Sequence, residues 1–143
     1  IFGPRMGYDH VIPEFSVRIK RREDPFLMYG GVETRSFCHV NDFVMGLISI
    51  LASDNTSGHV IHLGDDRYEL KIKDLANRMF NLVDWHPGVE ILPAPSGSVA
   101  RRKPCMAKAR QLFNYQPIVD LDQALLETYL WYEKHEQNTY SDL

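Results

Sequence analysis

Phe26-Leu-Met-Tyr-Gly-Gly-Val-Glu-Thr-Arg-Ser-Phe-Cys-His-Val-Asn-Asp42 is the stretch whose reading decides the fold. Pro25 before it and Gly30-Gly31 within it bound Phe26–Tyr29, which reads as a short strand entering a turn. Arg35 to Val40 reads as a second extended piece. Asn41 or Asp42 can then cap a helix running to about Ser53, with Phe43, Val44, Leu47, Ile48 and Leu51 as its apolar face.

The same alternation continues on both sides. Val11, Ile12, Phe15, Val17 and Ile19 recur at helical spacing, so a helix is predicted from about His10 to Arg21, with Pro13 in its first turn. His59 to Leu63, between Gly58 and Gly64, reads as a strand. Ile72, Leu75, Ala76, Met79, Phe80 and Val83 predict a helix from Lys71 to Asp84, and Pro87-Gly88 ends it. Val89 to Leu92 reads as a strand and Pro93 to Ser98 as a loop. Pro104 opens a short helix to about Phe113, and Asp120 starts a last one to about Glu136. Residues 137–143 form a polar tail. Strands separated by helices predict a small mixed α/β domain with short strands and about five helices, spanning 1–143 as one unit.

Composition narrows the function. The 143 residues carry 16 Lys+Arg against 19 Asp+Glu, a formal net charge of -3, which argues against a nucleic-acid binder with its basic face. No apolar run approaches the roughly 18 residues of a membrane span. Two cysteines, Cys38 and Cys105, are too few for a disulfide scaffold and suggest a reducing, cytoplasmic setting. Neither shows the surroundings of an activated thiol. No Gly-x-Gly-x-x-Gly, no phosphate loop with Lys-Ser/Thr, no Cys-x-x-Cys and no Tyr-x-x-x-Lys is present. His59 and His62 are three apart on the predicted strand, point to opposite faces and make a poor metal pair. No catalytic residue and no metal ligand is assigned.

What the residues do offer is anion binding. Arg35 follows a glycine turn, and Arg101-Arg102-Lys103 follows a loop. The planar guanidinium fork suits phosphate oxygens, and two such sites could clamp a diphosphate. The competing reading is solvated surface charge. For Arg35 it is a structural pair with Asp42 or Glu33. Arg101 competes with Arg102 for the phosphate role. Tyr29 reads equally as a core strand aromatic, and Asp42 as a helix cap.

Four ordered segments resemble one family. Ile1-Phe-Gly-Pro-Arg-Met6, with Ile12-Pro13 and Phe15, is similar to the "Tyr-Gly-Pro-Arg-Met … Ile-Pro-x-Phe" segment of the extended short-chain dehydrogenase/reductases, the NAD(P)-dependent nucleotide-sugar epimerases, dehydratases and decarboxylases. Tyr29-Gly-Gly-Val-Glu-Thr-Arg-Ser-Phe-Cys-His-Val-Asn-Asp42 resembles their "Tyr-Gly-x-Gly-x-x-x-Arg-Ser-Phe-x-Tyr-Val-x-Asp" signature. Arg102-Lys-Pro-Cys-Met-Ala-Lys-Ala resembles "Arg-x-Pro-Asp-x-x-Lys-Ala", and Leu121 to Tyr132 looks like the closing amphipathic helix.

The resemblance implies a C-terminal, substrate-binding part that lacks the N-terminal Rossmann half. NAD or NADP would belong to the parent enzyme, with no cofactor held by this chain. It implies a nucleotide diphosphate-sugar ligand, with Arg35 and Arg102 on the diphosphate. Tyr29 and Leu27 would border base and ribose, and Ile12 and Pro13 would shape the same pocket. A stand-alone sugar-nucleotide binding module and a non-catalytic interaction domain are the alternatives. Phe2, His39, Cys105 and Asn114 depart from the usual Tyr, Tyr, Asp and Gly. The resemblance also implies that the His59–Leu63 strand and the helix after Asp42 normally pack on the Rossmann half. Their apolar residues are therefore expected to form an exposed patch that favours self-association.

Overall fold

A computed structural model describes residues 1–135, and the tail expected at 137–143 lies outside the described residues. Helix α1 (Val11–Lys20) buries Ile12, Phe15 and Ile19 along one side and packs on α5 (Leu121–His135), which presents Leu121, Leu125 and Tyr129. Glu14 in its first turn and Arg18 and Lys20 in its last suit the helix dipole. Strand β1 (Phe26–Tyr29) follows and alternates inward and outward, burying Phe26 and Met28 while Leu27 and Tyr29 face out. Phe26 is the hub of the core. Its ring meets Phe15 and Phe80 edge-on at 5.2 and 5.0 Å between centroids, and Trp85 closes on Phe80 at 5.4 Å.

Beyond β1 come β2 (Thr34–Ser36), α2 (Val40–Leu51), a 3₁₀ turn (Asp54–Thr56), β3 (Glu69–Lys71), α3 (Ile72–Leu82), β4 (Val89–Leu92), β5 (Arg101–Arg102) and α4 (Ala107–Phe113). Two small sheets result. In one, β1 runs parallel to β4, with Phe26 opposite Val89. In the other, β2 lies between antiparallel β3 and parallel β5. The mixed α/β class with five α-helices is thus the observed architecture of the described residues. Among them, no helix is long and apolar enough to cross a membrane.

The structure corrects three readings. His59–Leu63 forms no strand: its backbone joins no ladder among the described residues, and Val60 is 81% exposed. An apolar alternation creates a strand only where a neighbouring strand pairs with it, and none does so among the described residues. Helix α2 begins at Val40 and is capped by His39, whose Nδ1 accepts from the Asn41 N–H, so neither Asn41 nor Asp42 is the cap. Asp42 instead turns inward, its carboxylate accepting from the N–H groups of Ile118 and Val119 at 3.0 Å each, and so ties α2 to the approach to α5. The basic stretch at 101–102 is a strand rather than a helix approach, and α4 starts at Ala107, three residues beyond Pro104.

A second, smaller core joins Met106, Ala109 and Tyr115 to Ile61 and Leu63. Tyr115 crosses Gly46 of α2 so closely that a Cβ there would lie 2.8 Å from its ring. Its hydroxyl donates to the Asp42 carbonyl and lies near the Cys38 thiol, which burial pushes up to about 11. A thiol held there is protonated at neutral pH and inert. Asn114 takes the left-handed conformation (φ 52°) at the end of α4, the conformation that glycine usually supplies.

Helix α2 is turned inside out relative to its apolar pattern. Asp42 and Gly46 are its buried residues, while Val44, Met45, Leu47, Ile48 and Leu51 are exposed, Leu51 at 87%. The face expected to lack a partner is bare.

Candidate functional site

A cleft of about 600 Å³ opens where the end of β1, strand β2, the start of α1 and strand β5 converge. Its walls include Tyr29, Arg35, Ile12, Ile72, Pro95 and Arg102. A second recess of about 530 Å³ shares Ile1, Ser36 and Arg102 with it and continues toward His62 and Lys103. An apolar trough with a few convergent polar groups is the usual form of a small-molecule site.

Four of the six residues singled out from the sequence line this cleft: Arg35, Arg102, Tyr29 and Ile12. Tyr29 is 63% exposed, so it is a wall aromatic and not a core one. Leu27 leaves the same side of β1 two residues earlier but does not line the cleft, and its carbonyl accepts from Arg18. Pro13 is buried behind Ile12 in the first turn of α1. Ile72 and Pro95 were not anticipated. Ile72 is the first residue of α3 and reaches the wall because its N–H donates to the Glu33 carbonyl, docking α3 on the Gly30–Glu33 turn. Pro95 sits in a loop with no periodic signal.

Five arginines are tied to carboxylates, and the two of the cleft are not among them. Arg18 pairs with Glu14 and Glu23, Arg67 with Asp65, Arg78 with Asp122, Arg101 with Glu69 and Arg110 with Asp66. Neither Arg35 nor Arg102 holds an ion pair among the described residues, and Arg35 donates only to the Thr34 carbonyl at 2.8 Å. The candidate partner Asp42 is bonded elsewhere. Bonding from its own backbone N–H and from the Gly31 N–H at 2.8 Å, helped by the nearby Arg35 charge, lowers the pKa of the Glu33 carboxyl. Arg101 is likewise removed from the competition with Arg102. Its fork is closed on both Glu69 oxygens, at 2.6 and 2.9 Å.

Backbone register brings the free pair together. Arg35 and Arg102 are opposite each other on parallel β2 and β5, and Thr34 and Arg101 form the preceding pair. Successive side chains leave opposite faces of a sheet, so each pair stands on its own face. The arrangement presents two unneutralised guanidinium groups beside an aromatic ring and aliphatic walls. It can bind a doubly charged anion attached to a flat group. The same wall carries Asp9, His10 and Glu14 near the start of α1. Among the described residues, no group of three or more His, Cys, Asp or Glu is arranged for a metal ion.

Comparison with known proteins gives the following similarities. Residues 1–64 match the model of the NAD dependent epimerase/dehydratase family. A UDP-glucuronic acid decarboxylase of Arabidopsis thaliana is 31% identical over 127 residues, covering 87% of this chain and 28% of its own length. A UDP-N-acetyl-alpha-D-glucosaminuronate decarboxylase of Bacillus cytotoxicus is 29% identical, covering 96% of this chain and 45% of its own. Among solved structures, an epimerase from Methanothermobacter thermautotrophicus superposes with a TM-score of 0.82 at 29% identity over 93% of this chain and 40% of that one. The UDP-glucuronic acid 4-epimerase of Bacillus cereus, in complex with UDP-glucuronic acid and NAD, shares the fold with a TM-score of 0.85 at 22% identity, over 93% and 42%. The chain spans less than half the length of these relatives. Within that span it is similar to members of the NAD dependent epimerase/dehydratase family.

Proposed function

We propose that this chain is the substrate-binding, C-terminal part of such an enzyme and binds a nucleotide diphosphate-sugar. Arg35 and Arg102 hold the diphosphate, Tyr29 lies along the base and ribose, and Ile12 and Ile72 close the apolar side. The observation that carries the reading is the register pairing of two arginines without carboxylate partners at one cleft. Hydrogen bonds between guanidinium forks and phosphate oxygens are the strong, charge-assisted kind. Leu27 and Pro13 serve by shape, Leu27 on the face of β1 that carries Tyr29 and Pro13 behind Ile12.

The Bacillus cereus epimerase structure holds UDP-glucuronic acid and NAD together. The 143 residues here hold no glycine-rich phosphate loop, and we assign none of them to that cofactor. The chemistry then belongs to a Rossmann half outside this stretch. The bare face of α2 and exposed Val60 support such a partner, because an apolar row of this kind is normally covered. Without that half, the same face favours self-association.

The test is calorimetric titration with UDP, GDP, CDP and dTDP. Binding of one diphosphate, weakened about tenfold or more in Arg35→Ala, is the expected result, as loss of a charged hydrogen bond implies. Equal binding by wild type and Arg35→Ala would overturn it. Binding of none by the chain, even when joined to a dinucleotide half, favours the interaction-domain reading.

A further inference from the structure

Resting on that reading of the cleft, we propose that Glu69 is the positioning residue for Arg102, holding strand β5 against β2 so that the Arg102 side chain stands beside Arg35. Glu69 lies on β3, on the far side of β2 from β5. Its side chain reaches across the middle strand. Oε1 accepts from the Thr34 hydroxyl at 2.8 Å, and the two oxygens accept from Arg101 Nε and Nη2 at 2.6 and 2.9 Å. Lys103 Nζ stands 3.5 Å from Oε2. One carboxylate on β3 therefore holds groups of β2 and β5, and Lys103 just beyond β5.

Strand β5 needs such a tie. It is two residues long, both exposed, and follows the 93–98 loop, which contributes no core side chain. Two residues of parallel ladder are a weak hold, as is the single flanking bond from the Thr34 N–H to the Ala100 carbonyl at 2.9 Å. Glu69 adds a bidentate fork and a second cation. It takes Arg101 and Lys103, which alternate with Arg102 along the strand, and leaves the residue between them on the opposite face. Glu69 itself lines neither the cleft nor the adjoining recess, so its influence on a ligand passes through the groups it holds, Arg101 of β5 and Lys103 on the recess wall.

Two readouts decide the matter. In Glu69→Gln, hydrogen exchange of the Thr34 amide should accelerate at least about threefold, as expected when an exposed, locally opening strand loses an ion pair. The Phe26 amide, bonded to Gly88 in the other sheet, should keep its rate and show that the fold is intact. Unchanged Thr34 exchange overturns the proposal. The second readout is titration with UDP and with inorganic pyrophosphate. Glu69→Gln should weaken binding about threefold to fivefold in the wild type, and less than about 1.5-fold in Arg102→Ala, because a residue acting through another is non-additive with it. Equal weakening in both backgrounds also overturns the proposal. If neither anion binds the wild type, alone or joined to a dinucleotide half, the cleft reading fails, and the exchange experiment alone decides whether Glu69 holds β5.

Discussion

Arg35 and Arg102 are register partners on adjacent parallel strands although 67 positions separate them in the chain. Like charges opposed on one face of a sheet repel, and that arrangement is normally destabilising. Here neither arginine holds an ion pair among the described residues, and the Glu33 carboxylate eases the repulsion only from a distance. The strain is tolerated because both side chains stand over an open cleft, where water screens them and an anion can bridge them.

That relationship makes Arg→Lys unequal to conservation. Arg35→Lys keeps the charge but loses the fork, so diphosphate affinity should fall several-fold while remaining above that of Arg35→Ala. Titration of the three proteins with the diphosphate that binds tests the order. Equal affinity of Lys and Arg would mean that charge alone acts there.

Acid should loosen the β3-β2-β5 sheet before the aromatic core. The Arg101 and Thr34 hydrogen bonds hold the Glu69 carboxyl at about 2, below its ordinary 4.5. A carboxylate whose pKa is lower in the folded state stabilises fully above the unfolded value, and loses that contribution as pH falls through the folded one. The Glu69 contribution is therefore complete above about pH 4.5 and fades toward pH 2. Thermal unfolding of wild type and Glu69→Gln should converge across that window. A constant gap would place the effect elsewhere.

Gly46 should accept no side chain. A Cβ there would stand 2.8 Å from the Tyr115 ring and 3.0 Å from Leu63, so Gly46→Ala should cost about 1–3 kcal/mol, the usual penalty of overpacking. Gly7→Ala is the control, since its nearest neighbour would be the His10 ring at 3.9 Å. Urea unfolding of both measures the difference, and equal midpoints would contradict the tight crossing.

The bare face of α2 should make the isolated chain associate. Light scattering at rising concentration should show particles larger than a monomer, and Leu47→Asp with Leu51→Asp should restore the monomer without loss of helix. A wild type that stays monomeric, with no binding of an apolar-surface dye, would remove self-association.

Long elements were legible in the sequence because their signal is local. The spacing of Ile12, Phe15 and Ile19 marks α1 to within a residue, and Pro25 and Gly30 frame β1. The segment around Arg35 pointed to the cleft through its likeness to a family signature. What could not be read locally is what other parts of the chain impose. Arg101, Arg102 and Lys103 are three similar residues in a row, and only strand pairing sends Arg101 and Lys103 to Glu69 and Arg102 to the cleft. Asp42 looks like a helix cap until Ile118 and Val119 arrive from far along the chain. His59–Leu63 has the composition of a strand, but being a strand depends on a neighbour as well as on residues.

The pairing of five other arginines with carboxylates has a kinetic consequence. These 143 residues carry a formal charge of -3 and by themselves repel an approaching diphosphate over distances of about a Debye length, roughly 10 Å in 0.1 M salt. Within a few ångströms of the cleft, the unpaired guanidinium groups reverse the sign of the field. Added salt then acts oppositely on the two stages of binding, easing the encounter by screening the global repulsion and hastening release by screening the local attraction. A ligand would arrive faster and stay for less time as ionic strength rises, so the equilibrium constant alone would hide most of what the charge distribution does.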